Sequence, residues 1–188
     1  VDVAMVDVPW NKHICFLDSP ETRADACGAV REVARACAAH PATFAISVVN
    51  EIPADIVRWS GAQPVSEFIE ELVREVKEAD PDCLCTFGNF PPTEYLRPQN
   101  IDFFSFNIYL HHPRPFENYL ARLQMIADVK PLVLSEFGID TIREGEENQA
   151  QILRWQVEAA FRGGVAGIAV YSFTDEWFKD RRQVTDWA

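Results

Sequence analysis

Short apolar runs alternate with stretches of helical periodicity along nearly the whole chain, and this alternation most restricts the fold. The strand-like runs are "VDVAMVDV", "TFAISVVN", "PDCLCTFGN", "IDFFSFNIYL", "PLVLSEFG" and "VAGIAVYSF". Between them lie "SPETRADACGAVREVARACAAH", "PVSEFIEELVREVKEAD", "FENYLARLQMIADV" and "EENQAQILRWQVEAAFRGG", with a short helical stretch near "PTEYLR". In the second of these, Val65, Phe68, Ile69, Leu72, Val73 and Val76 recur at three- and four-residue spacings, which is one apolar face of a helix. Ser19-Pro20-Glu21 reads as an N-cap followed by proline in the first turn. Gly163-Gly164 reads as a helix stop. Strands that are apolar throughout, alternating with helices, predict an α/β fold with a helix-covered parallel sheet. The two main architectures of that class are an open doubly wound sheet and a closed (β/α)8 barrel of the TIM type.

The chain has 188 residues, 48% of them hydrophobic, enough for one domain with a core of its own. No linker, repeat or low-complexity stretch interrupts it, so residues 1–188 are read as a single domain. The pattern supplies about six strands, whereas a closed barrel has eight and about 250 residues. The expectation is therefore a partial TIM-type barrel lacking its first two strand-helix units. No Gly-x-Gly-x-x-Gly follows the first strand and no Gly-x-x-x-x-Gly-Lys loop is present, which weakens a nucleotide-binding reading. A Gly-x-Ser-x-Gly elbow is also missing, which argues against a serine esterase.

A net charge of −12 disfavours nucleic acid and anionic membranes as partners. No apolar run approaches the roughly 20 residues needed to span a bilayer. The five cysteines, Cys15, Cys27, Cys37, Cys83 and Cys85, are odd in number, against a complete disulfide framework. Cys83 and Cys85 sit two apart in a strand candidate, on one face, a poor geometry for bonding each other. Free thiols in a reducing compartment are the expectation, and no zinc-type spacing accompanies them.

In barrels of this class the chemistry gathers at the C-terminal ends of the strands. Those ends read Asp7 and Trp10; Asn50 and Glu51; Asn89; Asn107 and Tyr109, with His111 and His112 beyond; Glu136; and Ser172, Asp175, Glu176 and Trp177. Apolar interiors thus end on carboxylates, amides and aromatics. Glu51 closes "VVNE" and Glu136 closes "LVLSE". Two carboxylates brought together at a barrel mouth repel, raising one pKa and leaving the other acid ionised. That division supplies a general acid and a nucleophile, and retaining glycoside cleavage needs such a pair about 5–5.5 Å apart.

In order and spacing, "VVNE", "FNIY", "LSEFG" and "YSFTDEW" resemble the active-site strands of retaining β-glycoside hydrolases with eight-stranded α/β barrels. The resemblance is greatest to glycoside hydrolase family 2 and next to family 5. It implies a retaining glycosidase acting on β-linked carbohydrate without metal or cofactor. It makes Glu51 the acid/base, Glu136 the nucleophile, Asn50 the amide on the sugar 2-hydroxyl, and Tyr109 the residue that orients the nucleophile. Phe173 stands nearest the position where such enzymes often carry a tryptophan platform, and Trp177 follows it.

Each residue also has a plainer reading. Glu51 is otherwise a loop carboxylate paired with Arg58, Glu136 a structural acid before Gly138, and Tyr109 core. His111 contacts substrate or, like His112, is solvated. Trp10 is a sugar platform or a packing residue. Asp175, Glu176 and Trp177 line the sugar cleft or cap the barrel. Trp59, in a loop, and Trp155, in a helix, are read as structural. The competing function is a truncated or degenerate barrel that binds carbohydrate without cleaving it, or supports a larger protein. Further domains or a partner chain would then complete the barrel and cover its open strand edges.

Overall fold

The structure, a computed structural model, describes residues 16–37, 40–173, 178–179 and 182–183. The first strand candidate, with Asp7, Trp10 and Cys15, lies outside the described residues, as do Asp175, Glu176 and Trp177. The chain forms two compact units that divide between Ser105 and Phe106.

The first unit holds helix α1 (Pro20–Cys37), strand β1 (Ile46–Asn50), helices α2 (Ala54–Ser60) and α3 (Ala62–Ala79), strand β2 (Cys85–Asn89) and the start of β3 (Phe104–Asn107). The Thr22 amide donates to Ser19 Oγ at 3.2 Å, so Ser19 caps α1 with Pro20 in the first turn. The predicted stripe of α3 is its buried face: Val65, Phe68, Ile69, Leu72, Val73 and Val76 are each no more than 1% exposed. α1 packs on α3, with Arg23 paired to Glu71 and Arg31 Nε 2.9 Å from Glu75 Oε2. β1 and β2 run parallel, Ile46 opposite Cys85 and Ser47 opposite Thr86, and the register slips before Asn50 meets Gly88.

Two sequence expectations need correction in this unit. Trp59 lies in α2, not a loop, and is 79% exposed. At seven residues, bounded by Pro53 and Gly61, α2 is too short to show a helical period and buries only Ile56 and Val57. Cys83 lies in the bend before β2, so only Cys85 belongs to the strand. The four described cysteines are free thiols, as expected. Burial pushes the Cys85 thiol up to about 12 and also raises those of Cys27 and Cys83.

The second unit holds the end of β3, helix α4 (Pro113–Ala127), strand β4 (Leu132–Phe137), helix α5 (Thr141–Arg162) and strand β5 (Gly167–Val170). α5 is broken near its start at Gly145. Trp155 of α5 meets buried Phe116 of α4 edge to face, with ring centroids 5.5 Å apart. β4 and β5 run parallel, Leu134 opposite Ile168 and Phe137 opposite Val170. A two-residue pair, β6 (Phe178–Lys179) and β7 (Arg182–Gln183), follows.

The strands β1 to β5 form one parallel sheet in chain order. This is the α/β arrangement that the alternation of strands and helices predicts.

Candidate active site

The end of β1 is shaped by the backbone. Asn50 is its last residue, and Glu51 follows with φ of +44°, a left-handed conformation that side-chain-bearing residues seldom adopt. The Glu51 amide donates to Gly88 O at 2.8 Å, which anchors the turn on β2 just past the register slip. Glycine at position 88 leaves room for the Asn50 side chain. A Cβ there would stand 2.2 Å from Asn50 Oδ1, so the absence of a side chain on β2 makes the space that the Asn50 amide fills. Both Asn50 and Glu51 are half-buried.

Asn89, one residue beyond Gly88, is 1% exposed. Its Oδ1 accepts from the Phe90 amide and the Thr93 hydroxyl, both at 2.9 Å, and so folds the segment leaving β2. Among the sequence candidates it is therefore a turn-former.

The ends of β3 and β4 are shaped by side chains. Tyr109 Oη donates to Glu136 Oε2 at 2.8 Å. The Ile108 amide donates to the Glu136 carbonyl at 2.8 Å, so Glu136 is held through both backbone and carboxylate. One residue earlier on each strand, Ser135 Oγ donates to Oδ1 of buried Asn107 at 2.6 Å. His111 Nε2 lies 2.9 Å from the Gly138 carbonyl. A carbonyl only accepts, so Nε2 carries the proton and the ring is turned by that bond. Gly138 is buried against the end of β5, where a Cβ would come 2.4 Å from Tyr171 O. Tyr109 is 37% exposed and Glu136 half-buried, so the pair is open to a ligand.

The structure thus brings together Tyr109, Glu136 and His111 in the second unit, and Asn50 and Glu51 in the first. His112 is exposed at the start of α4, and Phe173 is fully exposed. Among the described residues no cluster of three or more His, Cys, Asp or Glu forms a metal site.

No protein-family model and no curated protein matches the chain. Solved structures do resemble it. A Bacteroides uniformis β-glucuronidase is similar with a TM-score of 0.72 and 18% identity, covering 83% of this chain and 22% of its own. The Ruminococcus gnavus β-glucuronidase in complex with D-glucuronic acid gives 0.69 and 20%, covering 82% of this chain and 30% of its own. A GH2 (glycoside hydrolase family 2) β-galacturonidase from Eisenbergiella tayi bound to glycerol gives 0.67 and 24%, covering 82% and 30%. At these identities the likeness is one of fold. This chain spans between 22% and 30% of the length of those structures.

Sequence reasoning missed the supports of these strand ends. Gly88 and Gly138 looked like ordinary strand glycines. Ser135, Gln149 and Gln156 did not stand out at all. The signal for the glutamines was present: Gln149, Leu153, Gln156 and Ala160 follow helical spacing, so two amides sit on the apolar stripe of α5.

Proposed function

We propose that this chain carries the two catalytic acids of a retaining β-glycosidase, built on the later strands of a (β/α)8 barrel. Glu136 is the nucleophile and Glu51 the acid/base. The observation that carries the reading is the Tyr109–Glu136 hydrogen bond at 2.8 Å, which holds one carboxylate oxygen and sets the direction of the other. Holding a reacting group in one geometry is worth several orders of magnitude in rate.

In the first step a Glu136 oxygen bonds to the anomeric carbon while the glycosidic C–O bond breaks. Glu51 gives its proton to the departing oxygen. In the second step Glu51, now a carboxylate, takes a proton from water. That water attacks the anomeric carbon, the ester to Glu136 breaks, and both acids return to their starting states. Asn50 hydrogen-bonds the sugar 2-hydroxyl, a contact that strengthens as positive charge develops on the ring. His111, Trp10 and Trp177 are assigned to substrate contact. The mechanism requires no metal or cofactor, and a longer chain or a partner completes the barrel.

The substrate is a β-linked glycoside. Aryl β-glucuronides are the first to try, because β-glucuronidases are among the fold neighbours. Glu136→Gln is expected to abolish turnover. Glu51→Gln is expected to slow hydrolysis least for activated aryl leaving groups, which need little protonation. Full activity in both variants sinks the mechanism. Carboxyl groups about 6.5–9.5 Å apart in a crystal, in place of 5–5.5 Å, would change the outcome to inversion.

A second reading has its own support. The chain spans only 22% to 30% of its neighbours' length, and Ile168, Val170, Tyr171 and Phe173 are exposed along and beyond β5. In that reading it is a non-catalytic carbohydrate-binding or structural module. A monodisperse monomer with hydrolase activity excludes it.

A further inference from the structure

Gln149 and Gln156 lie seven residues apart on α5, close to two full turns, so both project from one face about 10.5 Å apart along the axis. Each donates from Nε2 to a backbone carbonyl: Gln149 to Ile139 O at 2.7 Å and Gln156 to Leu110 O at 3.0 Å. Ile139 lies three residues after Glu136, in the segment leaving β4. Leu110 follows Tyr109, in the segment leaving β3. One face of one helix therefore grips the two segments whose side chains make the Tyr109–Glu136 bond. The His111 contact to Gly138 O, at 2.9 Å, ties the same two segments to each other. The helix itself is fixed by Trp155 against Phe116 and by Gln124 Nε2, which donates to Gly163 O at 2.8 Å.

Gln156 is 0% exposed, and its Oε1 is buried without a partner. Rotating the amide would set that oxygen against the Leu110 carbonyl, so the orientation is determined by chemistry. An unpartnered buried oxygen costs stability. A methionine or leucine would remove that oxygen but leave the Leu110 carbonyl without its Gln156 donor. Gln156 is thus kept for the one bond its donor makes, to the segment that follows Tyr109.

We propose that Gln149 and Gln156 are positioning residues, which set the geometry of the Tyr109–Glu136 pair from α5. The inference rests on Glu136 being the nucleophile. They act through the backbone of the two segments.

The test is a set of three variants, Gln149→Met, Gln156→Met and Glu136→Gln, in the same chain. Amide exchange across residues 108–112 and 137–140 is expected to rise about tenfold or more in the two methionine variants, as local opening becomes easier. Crystals of Gln156→Met are expected to show Tyr109 Oη beyond hydrogen-bond reach of Glu136. On an aryl β-glucuronide, kcat is expected to fall about tenfold or more with KM within about twofold, the signature of lost transition-state geometry. The melting temperature of Gln156→Met is expected to change little, because the lost bond to Leu110 O and the removed unpartnered oxygen offset each other, whereas a purely structural role would lower it.

Unchanged exchange, or an intact Tyr109–Glu136 bond in the crystals, overturns the proposal whether or not the chain turns over substrate. Wild-type kcat in the methionine variants beside a dead Glu136→Gln overturns the positioning role and leaves the nucleophile standing. Wild-type kcat in Glu136→Gln overturns both. A kcat loss that only follows a fall in melting temperature assigns the glutamines to stability alone.

Discussion

The two strand ends that bear Glu51 and Glu136 share a backbone anchor and differ in backbone conformation and in the side chains around them. At β1 the grip is in the backbone: a register slip, a φ of +44° at Glu51, and an amide bonded to Gly88 O at 2.8 Å. At β4 side chains are added to a backbone bond: the Ile108 amide holds the Glu136 carbonyl, Tyr109 the carboxylate, Ser135 bonds Asn107, and two glutamines stand behind. The difference suits the proposed roles. A nucleophile must present one oxygen along one line, and a fixed donor does that. An acid/base passes a proton in each step, and a main chain fixed beside it helps to aim the side chain.

The largest effects test the roles themselves. Glu136→Gln is expected to lower kcat by at least about 10⁴-fold on every substrate, since no group replaces a missing nucleophile. Glu51→Gln is expected to cost about 10²–10⁴-fold for poor leaving groups and much less for activated aryl glycosides. Leaving-group dependence in the Glu136 variant and not the Glu51 variant would reverse the assignment.

The two close-packed glycines come next. Gly138→Ala puts a methyl 2.4 Å from a main-chain oxygen of Tyr171, which cannot move alone. A loss of about 3 kcal/mol in unfolding free energy is expected. Gly88→Ala puts its methyl 2.2 Å from the end of the Asn50 side chain, which can swing away. Its stability cost is expected nearer about 1 kcal/mol. Its kinetic cost should fall on glycosides that bear a 2-hydroxyl and spare 2-deoxy analogues. Equal losses on both substrates would show that Asn50 does not hold that hydroxyl.

Tyr109→Phe removes one hydrogen bond and little volume. Turnover is expected to fall about tenfold, as for an exposed bond to a charged group. A wild-type rate would mean that the backbone grips Glu136 firmly enough without it.

How much of this was legible follows from range. The strands and long helices of the described residues were readable because burial imposes a period over ten or more residues, as along α3. The polar strand ends were readable because Asn50, Glu51, Tyr109 and Glu136 break apolar runs at one end. α2 was not, since two buried residues make no period. The Glu51 conformation was hidden too, because it sits beside a register slip against β2, and no local signal marks a slip. Gln156 looked like an ordinary helix residue. Its meaning depends on a carbonyl 46 positions away in the chain.

The four described cysteines belong to the first unit, which makes alkali a probe of that unit. Cys85 is raised to about 12 by burial, from an ordinary value of 9.0. Between those values the unfolded chain releases a proton that the folded chain keeps, so stability is full below about pH 9 and falls as pH rises toward 12. Amide exchange in α3 and β2 is expected to accelerate over that window before exchange in α4 and α5. Simultaneous acceleration in all four would mean that the units open together.

The smallest effect bears most directly on the contrast between the two acids. If the main chain at Glu51 is strained, glycine there relieves it, because glycine adopts positive φ without the clash of a Cβ. Glycine also loses more entropy on folding, so the net gain is small, about 1 kcal/mol or 2–4 °C in melting temperature. Glu136→Gly sits in an extended strand with no strain to relieve, and loses the Tyr109 bond besides, so its melting temperature is expected to fall. Opposite signs at the two acids would show that one proposed catalytic position is held against the preference of its residue and the other with it. A fall at both positions would mean that Glu51 is held chiefly by contacts of its side chain. The supposed difference between the strand ends would then shrink to one of partners.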